Sequence, residues 1–220
     1  RDYKKYLWRG FEPKCLYKIF EEKIFRYLQM KLYIYLFRHG ESYFNESKRF
    51  TGWKDSKLTK RGIRSARKIA KKLKNKRIDA AYQTRLSRSR DTLKEVLKYH
   101  PECKRIITDN RMIERNYGKL QGKYHKTIIK KYGKEQFDLW HRSYNSAPPG
   151  GESIKMVEKR VRPFIRDLLK FMKKNKVNVA ISAHGNSMRP FRRYFEKFSI
   201  KKMMKLENPY DDYFCYKITF

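Results

Sequence analysis

Residues 177–183, VNVAISA, make a run apolar enough to be a strand buried on both faces. Strands of that kind lie inside parallel sheets whose two faces are covered by helices. From Met30 onward, short apolar runs alternate with helical patterns, the signature of α/β architecture. KLYIYLF (31–37) is the first strand. The next segment places Ile63, Ala66, Ile69, Ala70 and Leu73 on one helical face, with Thr59 as its cap. IDAAYQT predicts a second strand, SRSRDTLKEVLKYH a helix and KRIITD a third short strand. Two helices are expected between positions 123 and 142, broken near Tyr132-Gly133. SAPPGGES is a loop by its Pro and Gly content. It leads into a long helix with Ile154, Val157, Val161, Ile165, Leu168 and Leu169 inward and Pro163 placed to kink it. YFCYKITF alternates like a last strand, and with no internal repeat or low-complexity linker the pattern predicts one domain.

That domain is assigned to residues 30–220, and residues 1–29 read as a basic amphipathic extension. The chain opens at Arg1 while Met30 stands directly before the first strand, and apolar residues recur at 16, 19, 20, 24, 25 and 28. The formal net charge of +35 suggests nucleic acid, an anionic membrane or a polyanionic substrate. Lys and Arg are nevertheless spread over almost every segment, as solvated helix faces are, so nucleic acid is not the expected partner. The 40% hydrophobic content excludes a disordered polyelectrolyte. No apolar run approaches a membrane span. Three cysteines without ligand spacing predict neither a disulfide framework nor a zinc site, and a cytoplasmic location is expected. The sequence is compatible with a homo-oligomer.

Ligands of open α/β sheets collect at the carboxyl ends of the strands. Two predicted strands end alike there, YLFRHG at His39 and VAISAHG at His184, and each Gly lets the backbone turn tightly against a ligand. Arg38 precedes the first histidine, and Arg88 opens the helix after the second strand. A fixed cation disfavours protonation of a neighbouring imidazole, and guanidinium donors match phosphate oxygens. Two arginines and two histidines at one rim therefore describe a phosphoryl pocket. With neither a P-loop nor an acidic magnesium cluster, nucleotide-triphosphate chemistry is not expected. A neutral imidazole can attack phosphorus itself, and Glu114, after the third strand, is the candidate acid for the leaving oxygen.

RHGESYFN, RFTGW, LTKRG, ERNYGKLQG, PPGGES and AHGNSMR occur in the order found in the histidine phosphatase superfamily. From Met30 to about Tyr216 the chain most resembles its short-type 2,3-bisphosphoglycerate-dependent phosphoglycerate mutases. The resemblance implies a three-layer α/β/α sandwich with a mostly parallel central sheet. It implies that His39 is the phosphorylated nucleophile, that Arg38, Arg88 and His184 bind the transferring group, and that Glu114 is general acid and base. Asn45 and Asn186, beside Gly185, would add hydrogen bonds to that group. Ser42, Thr51 and Gly52 would contact the substrate's acid groups, helped by Arg115 and Tyr117, and Arg142 would grip its distal end. The priming donor would be 2,3-bisphosphoglycerate, without a metal.

The chain departs from that pattern at two substrate-binding positions. His141 stands where the second arginine of the distal pair is usual, and His125 where a lysine is usual. The chain also ends at Phe220, just after the last strand, so the mobile tail that covers many mutase sites is expected to be reduced or missing. A less covered pocket leaks toward hydrolysis. The leading expectation is the interconversion of 3- and 2-phosphoglycerate through phosphohistidine. The alternatives are a histidine-dependent phosphatase of small phosphomonoesters or sugar phosphates, and a polyanion-binding protein that retains the fold.

Overall fold

The computed structural model describes residues 30–220; the extension expected at 1–29 lies outside the described residues. Five strands, β1 (Lys31–Arg38), β2 (Ala80–Gln83), β3 (Arg105–Thr108), β4 (Val179–Ala183) and β5 (Tyr213–Thr219), form one sheet in the order β3-β2-β4-β1-β5. The first four are mutually parallel, and β5 runs antiparallel to β1 along one edge. β4, every residue of which is buried, takes the central place that its apolar run requires.

The helices are α1 (Tyr43–Glu46), α2 (Lys60–Leu73), α3 (Ser87–Leu97), α4 (His125–Arg142), α5 (Ile154–Asn175), α6 (Gly185–Glu196) and α7 (Ile200–Met204). Side chains of β1 alternate between two cores, as a strand's period of two demands. Tyr35 and Phe37 pack with Ile69 and Leu73 of α2 and Leu93 of α3. Ile34 and Leu36 pack with Val161 and Ile165 of α5 and Phe191 of α6. Helices on both faces of a mostly parallel sheet make the three-layer α/β/α sandwich that the family resemblance implies.

Local signals act where they are written. The Thr59 side chain accepts a hydrogen bond from the Gly62 N–H and caps α2. Gly133, with φ 81° and ψ 160°, breaks α4 at the predicted place. Pro163 lies inside α5, which continues as one helix from Ile154 to Asn175. A satellite core of Phe50, Tyr117, Leu120, Ile128 and Phe137 ties the loops after β1 and β3 to α4. It builds a second wall facing the sheet's carboxyl edge.

Candidate active site

Arg38 and Ala183 are register partners on β1 and β4, so the residues that follow them, His39 and His184, emerge side by side. Their ring centroids are 4.9 Å apart, and the side chains are almost wholly buried. Nδ1 of His39 lies 2.7 Å from the Gly40 carbonyl. A carbonyl only accepts, so Nδ1 carries the proton and Nε2 the lone pair. Nε of Arg88 donates to that Nε2 at 3.3 Å. Arg88, fully buried, also donates to the carbonyls of Gly52 at 2.7 Å and Lys54 at 3.1 Å. Burial draws its pKa down to about 10, so it stays charged at neutral pH.

Burial holds His39 well below the ordinary imidazole pKa, and Arg88 and then Arg38 push the same way. The sequence points to a neighbouring fixed cation as a help in keeping His39 neutral; desolvation is the larger cause and Arg88 the stronger cation. His184 is likewise held neutral by burial and by Arg88. Its Nε2 pairs with Thr84 Oγ1 at 2.8 Å. Gly40 also has another reason than the expected one. Its φ is not left-handed, and a Cβ there would meet the Gly62 carbonyl at 2.3 Å, so a helix rather than a ligand requires the glycine. At Gly185 the added Cβ would sit 3.4 Å from the Arg38 guanidinium carbon, a contact close to ordinary.

Glu114 is buried beside the histidines. The N–H groups of Arg115 (2.7 Å) and Asn186 (3.2 Å) both donate to its Oε1, which leaves Oε2 without a partner among the described residues. Asn186 belongs to the first turn of α6, whose positive end faces the site and favours an anion. His39, Glu114 and His184 each offer a donor atom within 4.8 Å of the others, a set that also suits zinc. The Arg88 and Arg38 cations around that point match a phosphoryl group better than a metal ion.

Above these groups opens a cavity of about 510 Å³. Of the residues expected to bind substrate, Asn45, Thr51, Tyr117, His125, Arg142 and Asn186 line it, as do His141 and Gly185. Three others are placed differently. Ser42 is buried and its hydroxyl donates to Asn45 Oδ1 at 2.9 Å, so it orients Asn45. Gly52, at φ 55°, turns its carbonyl onto Arg88. Arg115 is buried and donates to the carbonyls of Glu152 at 2.5 Å and Ser146 at 2.9 Å, behind the wall.

The far wall is aromatic. His125 and His141 stand 5.1 Å apart between Phe50 and Phe137. Burial and the neighbouring Arg142 lower both imidazole pKa values, that of His141 to about 3, so neither carries charge at neutral pH. The sequence reading misses Thr84, Arg49, Arg189 and Tyr210. Thr84 follows β2 at the same sheet edge, which the strand-end rule could have caught. Arg49 and Arg189 sit inside motifs already singled out, whereas Tyr210 carries no motif. The Tyr210 ring lies 4.0 Å from the Arg38 guanidinium carbon and its centroid 6.4 Å from that of His39.

A family model of the histidine phosphatase superfamily (branch 1) matches residues 34–218. A 2,3-bisphosphoglycerate-dependent phosphoglycerate mutase of Parvibaculum lavamentivorans is 38% identical over 175 residues, 78% of this chain and 83% of the relative. Among solved structures, a mycobacterial glucosyl-3-phosphoglycerate phosphatase superposes with a TM-score of 0.72 at 22% identity, over 84% of this chain and 89% of that one. A phosphoglycerate mutase of Bacillus anthracis gives 0.69 at 22% identity, over 87% and 89%. At that identity the two likenesses speak for the fold alone.

Proposed function

This chain belongs to the histidine phosphatase superfamily and is an enzyme, and from that premise we propose that it interconverts 3- and 2-phosphoglycerate. The observation that carries the reading is the lone pair on His39 Nε2, faced by Arg88 and set beside the Glu114 carboxylate. The curated mutases at 32–38% identity support the choice of substrate.

In the proposed cycle, 2,3-bisphosphoglycerate primes the enzyme. Nε2 of His39 forms a bond to phosphorus as the ester P–O bond breaks, and Glu114 gives its proton to the leaving oxygen. The free hydroxyl of a monophosphoglycerate then attacks the phosphohistidine phosphorus, the P–N bond to His39 breaks, Glu114 takes the hydroxyl's proton, and 2,3-bisphosphoglycerate is re-formed. One proton and one phosphoryl group are thus returned per cycle. Arg38, Arg88, His184 and the amino end of α6 stabilise the charge on the transferring oxygens. Asn45, Thr51, Tyr117 and Asn186 position the substrate, with Ser42 and Gly52 acting through Asn45 and Arg88. A cytoplasmic location belongs to the same proposal; no helix among the described residues is long and apolar enough to cross a membrane.

The neutral His125 and His141 favour a second reading, a phosphatase of small phosphomonoesters, because they give a distal carboxylate no fixed charge. The two are separated by giving the protein 3-phosphoglycerate with and without catalytic 2,3-bisphosphoglycerate and following products by ³¹P NMR. The mutase produces 2-phosphoglycerate faster than free phosphate and is stimulated by the bisphosphate. Phosphate release without isomer would replace the mutase reading by the phosphatase.

A further inference from the structure

We propose that Arg189, on α6, is a specificity-determining residue that holds, together with Arg142, the anionic end of the substrate remote from the group transferred at His39. The inference rests on the phosphoryl-transfer reading and extends it to the distal part of the cavity, where only Arg142 of the expected arginine pair is present.

Beneath one end of the cavity, which Arg38 lines, Arg88 and Arg38 flank His39. At the other, the positions where the family resemblance leads one to expect cations are imidazoles, packed against Phe50 and Phe137 and neutral at physiological pH. An anion set against such a wall would have Arg142 alone of the expected pair as its counter-charge, and an incompletely paired anion is costly away from bulk water. Arg189 supplies a second from a different element. It lies one helical turn after Asn186 and lines the same cavity.

Its Nη1 donates to the Met204 carbonyl, which fixes one edge of the guanidinium. Its other nitrogens make no hydrogen bond, and no carboxylate pairs with it, among the described residues. Burial opposes its charge most, and Arg142 and Arg38 add to that, while Tyr117 and the Glu114 carboxylate, which makes no ion pair with it, offset part of the effect. A half-buried guanidinium that faces a cavity beside another arginine and has no acidic partner is arranged for an anion from solution. The planar fork suits a carboxylate or a phosphate equally. The second cation expected on α4, beside Arg142, is thus provided from α6. The ligand class that follows is a phosphomonoester bearing a second anionic group.

The test is calorimetric titration of the full chain with 3-phosphoglycerate and, separately, with inorganic phosphate. Wild type is expected to prefer 3-phosphoglycerate. Arg189→Met should weaken that ligand about ten- to hundredfold, the range of one charged hydrogen-bond pair, and leave phosphate affinity unchanged. Arg189→Lys should recover part of the loss, since the charge remains while the fork does not. Equal weakening of both ligands, or no change in either, would overturn the proposal. Thermal unfolding of each variant shows whether the fold has survived. Failure of the mutase reading shows elsewhere, as absent isomerisation by wild type, and the binding contrast is read in either case.

Discussion

Glu114 illustrates how one residue's two oxygens can be given different duties. Its Oε1 accepts from the N–H groups of Arg115 and Asn186, which locks the carboxyl plane and leaves Oε2 without a partner among the described residues, free for the proton transfer proposed above. Glutamine keeps an oxygen acceptor for those two donors but cannot exchange a proton. Glu114→Gln is therefore expected to slow turnover of phosphoglycerate, a poor leaving group, by about 10²- to 10⁴-fold. Hydrolysis of p-nitrophenyl phosphate, whose leaving group needs no acid, should fall far less. Steady-state rates on both substrates check this, and an equal loss on the two would remove Glu114 from acid–base duty.

At the scale of elements, the turn carrying His39 is held by backbone pressed on backbone. A Cβ at Gly62, in the first turn of α2, would stand 2.0 Å from the Glu41 carbonyl, and one at Gly40 would strike Gly62 in return. The same turn is tied to α3 by the Gly40 N–H donating to Thr92 Oγ1 at 2.9 Å. Gly62→Ala must push α2 away from the turn. The expected cost is about 1–3 kcal/mol, as for other overpacked sites, with a fall in kcat as His39 shifts against Arg88. Urea unfolding and turnover measured on the same preparation decide it. Wild-type values in both would mean that the two segments part without consequence.

Over the whole molecule, four histidines are held neutral, His125 and His141 in the cavity wall and His39 and His184 buried beneath it. Burial lowers His39, His125, His141 and His184 below the unfolded value of about 6.5. Above pH 7 they are neutral in both states and contribute nothing to the pH dependence. As pH falls through about 6.5 the unfolded chain takes up protons that the folded chain refuses. Stability should therefore fall on acidification, by up to about 1.4 kcal/mol per pH unit for each histidine that stays neutral. Urea midpoints at pH 7.5, 6.5 and 5.5 measure the slope. Self-repulsion in a chain of formal net charge +35 acts in the same direction. The double change His125→Gln with His141→Gln isolates part of the histidine share, and its slope should be flatter. An increase in stability toward pH 5.5 would contradict the burial of these rings.

The sequence by itself determined the sheet's central strand, the pairing of two strand ends that carry His39 and His184, the Thr59 cap and the break at Gly133. Each is a short-range matter: an apolar run, a spacing, a residue with one suitable backbone conformation. It left α6 and α7 unassigned, because Pro190 and a dense cluster of arginines obscure the apolar positions Met188 and Phe191. Tertiary structure alone decided which cations remain free. Arg115, adjacent to Glu114 in sequence, is occupied by carbonyls 31 and 37 residues away, whereas Arg189 reaches the cavity without a paired carboxylate among the described residues. It also decided that His125 and His141 are neutral, by packing them among Phe50 and Phe137. A motif fixes residue types at positions along the chain. Charge state and hydrogen-bond partners are set by whatever distant segments bring within a few ångströms, and by how much water they displace.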